Sequence, residues 1–138
     1  MIINAENLIL GRMAAAVAKQ ALLGDKIDII NSEKAVITGK PHAIIEHYRV
    51  KFQKGYALSG PYFPKHPERI VRRTIRGMLP HKQEKGRKAF KNVKCYIGIP
   101  KDFEGKKYDT IERANVKNIK KAKYLTIKEI SKQLGWKE

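Results

Sequence analysis

Four arginines, Arg69, Arg72, Arg73 and Arg76, fall within eight residues of chain. At about 100° per residue, with Arg69 at zero, the others lie at about 300°, 40° and 340°. All four therefore share an arc of about 100° on a helix. Ile70, Val71, Thr74, Ile75 and Met78 occupy the other side, between about 100° and 240°. Guanidinium groups bind phosphate in a bidentate fashion and stack on bases, which lysine does poorly. A merely solvated face would mix Glu with Lys. Here only Glu68 offsets the arginines, and it stands in the first turn, where a carboxylate suits the helix dipole. The pattern predicts a face that meets nucleic acid and an opposite face that docks on a core. Replacing Arg72, Arg73 and Arg76 by Gln is then expected to leave folding intact.

The flanking residues extend this chemistry. Lys51, Lys54, Lys65 and His66 precede the helix, and Lys82, Lys85, Arg87, Lys88 and Lys91 follow it. Tyr62 is a candidate for stacking on a base, whereas Phe63 is expected to pin its loop to the core. Residues 49–91 hold 13 basic and two acidic side chains, a net of +11, while residues 1–48 are neutral and residues 117–138 carry +5. The whole chain has 30 basic and 13 acidic residues, a formal charge of +17. A block so uncompensated repels itself until an anionic partner neutralises it. Irregular, glycine- and proline-rich backbone with basic side chains suits folded RNA better than a helix reading a DNA major groove.

Other chemistry is missing from the pattern. Thr38-Gly39-Lys40 resembles the end of a phosphate-binding loop, but Lys34 stands where its first glycine belongs and no hydroxyl follows Lys40. His42, His47, His66 and His81 are dispersed, and neither GxGxxG nor HExxH occurs. No catalytic residue, metal or cofactor is expected, and no small-molecule substrate. An RNA-processing enzyme or an accessory RNA-binding module is the alternative. Its only acid–base candidates are His66 and His81 with nearby lysines. The single cysteine, Cys95, excludes an intramolecular disulfide and reads as a small buried hydrophobe. Neither a membrane span nor a signal peptide is visible, so an intracellular chain away from membranes is expected.

Positioning these residues takes a scaffold, and 138 residues suggest a single domain over 1–138. Ile2-Ile3-Asn4 predicts a strand. Leu10 to Gly24 predicts a helix with Leu10, Met13, Val17 and Ala21 inward, and Lys26 to Ile30 a second strand, giving a βαβ unit with a parallel pair. Ala35-Val36-Ile37 is a third short strand. Pro41 opens a helix with Ile44, Ile45, Tyr48 and Phe52 on its apolar face. Gly55 to Pro67 is an extended loop, Pro67 to Leu79 the arginine helix, and His81 to Lys91 a basic, glycine-punctuated stretch. Val93 to Ile97 forms a strand, and residues 100–123 are irregular. Thr126 and Glu129 form a capping box for a C-terminal helix over about 126–135, with Ile127, Ile130 and Leu134 inward, Trp136 beyond, and Lys128 and Lys132 outward. The class is α/β, a small parallel sheet flanked by helices, with a basic loop-and-helix extension.

Several ordered segments resemble the L-thirteen family of large-subunit ribosomal proteins in its archaeal and eukaryotic form. They are Leu10-Gly11-Arg12-Met13-Ala14, the run Ile29 to Lys40 with its Thr-Gly turn, Gly60-Pro61-Tyr62-Phe63 and Pro67-Glu68-Arg69-Ile70. The most specific is Arg76-Gly77-Met78-Leu79-Pro80-His81-Lys82, followed by Gly86 to Phe90 and Val93 to Gly98. The resemblance implies a three-layer α/β/α domain on a sheet of about four parallel strands. It also implies binding to large-subunit ribosomal RNA beside neighbouring ribosomal proteins, a role in early subunit assembly, and a cytoplasmic location on the ribosome. Arg12 and Lys40, inside the matching motifs, join the candidate RNA-binding residues on that ground.

Overall fold

The computed structural model describes residues 1–121 and 123–138. Strand β1 (Ile2–Asn4), helix α1 (Leu10–Leu22) and strand β2 (Ile27–Ile30) form the expected unit. The strands pair in parallel, Ile2 opposite Asp28 and Ile3 opposite Ile29. Leu10, Met13, Val17 and Ala21 are buried, and each fully buried large apolar side chain contributes about 1.5–3 kcal/mol. Gly24, at φ +97°, supplies the left-handed residue beyond the helix end.

Next come β3 (Val36–Thr38), α2 (Pro41–Gln53), α3 (Pro67–Gly77), α4 (Glu84–Lys91), β4 (Val93–Cys95), β5 (Tyr124–Thr126) and α5 (Ile127–Gln133). Single 3-10 turns stand at Ser32–Lys34, Lys101–Phe103, Glu112–Ala114 and Val116–Asn118. The class is α/β, but the parallel sheet has three strands, in the order β1-β2-β4. Asp109 adds a single parallel bridge beside Ile3 at the β1 edge. Strand β3 is not in that sheet. It pairs antiparallel with β5, Val36 opposite Thr126 and Thr38 opposite Tyr124. The reason is chain length: β3 follows β2 after one short turn, whereas a parallel crossover needs about a dozen residues.

Three further expectations are corrected. The stretch His81 to Lys91 contains α4, and its Gly86 is buried where a Cβ would collide with the Pro80 carbonyl, so this glycine permits close packing rather than breaking a helix. Phe52, placed on the apolar face of α2, is 39% exposed, and Ile44 and Tyr48 carry that face. Strand β4 stops at Cys95, although the Tyr96 amide still donates to the Ile29 carbonyl at 2.8 Å.

One apolar core draws on both ends of the chain. Ile3, Met13, Ile29, Ile70 and Ile75 meet Ile127, Ile130 and Leu134. Helix α5 packs on α2 and α3. Its capping box is complete: the Glu129 amide donates to Thr126 Oγ1 at 3.3 Å and the Thr126 amide to Glu129 Oε2 at 3.1 Å. Lys132 points outward, while Lys128 pairs with Glu138 at 3.1 Å.

Candidate nucleic-acid interface

Helix α3 starts with Pro67, whose fixed φ suits the first helical position. Ile70, Val71 and Ile75 are fully buried, which turns the arginine arc away from the core. The division predicted from spacing therefore holds along the helix. Met78, just past its end, is the exception and is exposed. Thr74 folds back to donate to the Ile70 carbonyl at 3.0 Å.

The four guanidiniums have different surroundings. Arg69 is exposed, and its side chain has no hydrogen bond among the described residues. Arg72 lies 4.0 Å over the Phe90 ring, donates through Nε to the Val93 carbonyl (3.1 Å) and through Nη2 to the Phe90 carbonyl (3.4 Å). Arg73 lies 4.8 Å over Phe63 and donates through Nη1 to the Tyr62 carbonyl at 3.0 Å. Burial, and then the neighbouring Arg76 charge, lower the Arg73 pKa from its ordinary value. Arg76 has a buried Nε without an acceptor, and its carbonyl receives a hydrogen bond from His81 Nδ1 at 3.2 Å. Among the described residues, none of the four is ion-paired with a carboxylate. Arg72 and Arg73 thus brace α4, β4 and the 55–66 loop. The expectation that the arginine face can be replaced without cost to folding is corrected for these two.

The arginines converge with Tyr62 and Phe90 on a recess of about 280 Å³. Phe63 packs against the core and against Tyr48, as expected of a residue that pins the loop. Lys51 Nζ lies 5.5 Å from the Tyr48 ring centre and 5.9 Å from that of Phe63, which places it next to Arg73 in the same cluster. Lys54 lines a second, slightly smaller hollow with Tyr56 and Tyr62. The Tyr62 ring is 66% exposed, and its hydroxyl donates to the Ala57 carbonyl at 2.6 Å. Lys65 is exposed and His66 caps the start of α3. On α4 and just before it, Lys82 and Lys85 are exposed, Arg87 donates to the Lys82 carbonyl (3.1 Å), and Lys88 pairs with Glu84 at 3.5 Å.

Two candidates stand apart. Arg12 is on the first turn of α1 and donates to the Arg113 carbonyl at 3.4 Å. Lys40 caps the start of α2, about 20 Å of helix from Lys54 at its other end. Sequence reasoning misses Phe90 as a guanidinium platform, because nothing local announces α4. It also misses the hollow formed by Lys26, Lys91 and Lys94 with Asp28, which exists only through the β2–β4 register, Asp28 opposite Lys94.

No group of three His, Cys, Asp or Glu able to hold a metal occurs among the described residues. No described helix is long and apolar enough to cross a membrane. Cys95, expected as a small buried hydrophobe, is only half-buried and packs against the core from its edge, and burial of the thiol pushes its pKa up to about 12.

The model of the family described as ribosomal protein L13 matches residues 1–102. The chain is 42% identical to the large ribosomal subunit protein uL13 of Archaeoglobus fulgidus, over 99% of this chain and 88% of the relative. It is 44% identical to the protein of that name from Methanosarcina barkeri, over 99% and 98% of the two chains. With that of Saccharolobus solfataricus the identity is 46%, over 99% and 93%. The chain belongs to the ribosomal protein L13 family, whose members are structural components of the ribosome and not enzymes.

Proposed function

We propose that this chain is a structural constituent of the large ribosomal subunit that binds large-subunit ribosomal RNA as one domain and supports early assembly of that subunit. The observation that carries the reading is the α3 face, where four guanidiniums converge without a paired carboxylate among the described residues. Lys51, Lys54, Lys65, His66, Lys82, Lys85, Arg87 and Lys88 widen this surface, and Tyr62 adds an aromatic ring. Phosphate contacts of this kind fix position, and shape and unpaired bases provide selectivity. Neutralising phosphates lets RNA segments approach one another, which is what an assembly protein supplies. Arg12 and Lys40 contact RNA at separate points of the surface. Neighbouring ribosomal proteins are the other partners, and the cytoplasmic ribosome is the place of action.

Crosslinking the full chain to RNA in a cell extract, then sequencing the attached RNA and mapping the attached peptides, tests the reading. Large-subunit ribosomal RNA attached within residues 49–91 is expected. Attachment confined to other RNAs, or to peptides outside that block, contradicts it.

A further inference from the structure

The arginine face of α3 carries an open recess of about 280 Å³, just below the size of about 300 Å³ at which small-ligand sites begin. Two of its walls are fixed before any ligand arrives. Arg72 is held against Phe90 and the Val93 carbonyl, and Arg73 against Phe63 and the Tyr62 carbonyl. The other two arginines bring unused donors. Arg69 is exposed, and Arg76 holds a buried Nε–H with no acceptor. That Nε–H is closed to solvent, so a phosphate on Arg76 is met by its outer Nη groups. Mutual repulsion between Arg73 and Arg76 is relieved by the same anion. At the rim, the Tyr62 ring is stacked on no other ring among the described residues.

Two chemistries meet at the recess, and they select among RNA ligands. The phosphates of a regular duplex can run across a basic surface, as they would past Lys82 and Lys85. Its bases are paired and stacked, so a duplex offers no base face to the exposed Tyr62 ring. A nucleotide swung out of the stack brings its phosphate and its base in together, and unpaired bases are the usual objects of aromatic and guanidinium stacking. We propose that this recess takes one unpaired, extruded nucleotide of RNA, with its phosphate on Arg69 and Arg76 and its base against Tyr62. The inference rests on the RNA-binding reading above and adds to it the structural class of RNA recognised at this point.

The test uses the full chain and two RNA hairpins of identical stem and loop. One carries a single bulged 2-aminopurine nucleotide and the other is fully paired. The bulged hairpin is expected to bind about tenfold more tightly at the same salt concentration, and its 2-aminopurine emission to change as the base leaves the helix stack. Tyr62→Leu should bring the bulged hairpin to the affinity of the paired one. Tyr62→Phe, which keeps the ring and loses only the bond to Ala57, should preserve the difference. Equal affinities with unchanged emission overturn the extruded-nucleotide site and leave the RNA-binding reading standing. So does a preference that survives Tyr62→Leu. Binding of neither hairpin at low salt overturns both.

Discussion

Arg69 and Arg72 stand three residues apart on α3, yet the surroundings give them different work. Arg72 stacks on one ring and donates to two carbonyls, whereas Arg69 touches nothing that folding needs. Arg72→Gln is therefore expected to lower stability by about 1–3 kcal/mol, while Arg69→Gln stays within about 0.5 kcal/mol. Urea unfolding of the two variants without RNA checks this, and equal losses would contradict it. The arc shared by the arginines follows from helical period, a local property that spacing reveals. Their rings and carbonyls come from residues 10 to 21 positions away in sequence, so no local pattern could disclose them. At Cys95, burial raises the thiol from 9.0 to about 12. The folded state then holds its proton more tightly than the unfolded state. The resulting stability is fully present below about pH 9 and is lost as pH rises toward 12. Burial of Tyr48 acts in the same direction. Cys95→Ala should accordingly flatten the fall of stability with pH just above 9, measured by urea unfolding across that range. An unchanged slope would show that the thiol is not protected.

At the scale of elements, helices with strong ends and the strands β1 to β4 were legible, while β5 and α4 were not. The capping box at Thr126 and Glu129 and the stripe Ile127, Ile130 and Leu134 marked α5 correctly, because caps and faces are encoded within a few residues. Strand β5 has three residues and exists only by pairing with β3 from the other end of the chain, so its cause is non-local. Helix α4 was concealed by Gly86, which reads as a break until the Pro80 carbonyl is seen against it. Gly86→Ala should destabilise by about 1–3 kcal/mol through that overlap, despite the better helix propensity of alanine. A gain in melting temperature would refute the packing role. Leu134 is 8% exposed within the core. Leu134→Ala should cost about 2–5 kcal/mol, toward the lower end near a terminus. A truncated chain ending at Lys123 should lose more, since it also lacks Ile127 and Ile130. If wild type, Leu134→Ala and this shortened chain gave superimposable urea curves, α5 would have no part in the folded core.

Across the molecule, charge is segregated along the chain. Residues 1–48, which contain the β1-α1-β2 unit, are neutral, and most of the excess lies in residues 49–91, which contribute α3, α4 and the 55–66 loop. Charge separation of this kind implies binding dominated by phosphate contacts and a strong dependence on salt. The most direct measurement is the affinity of the full chain for a large-subunit ribosomal RNA fragment, titrated from about 50 to 200 mM salt. If about six to ten phosphates are neutralised, affinity falls about 10³–10⁵-fold across that range. The double variant Arg69→Gln, Arg76→Gln should reduce the slope by about one, for the single phosphate that the two side chains share. A nearly flat titration, or a double variant with the wild-type slope, would contradict the assignment of α3 as the RNA-phosphate face.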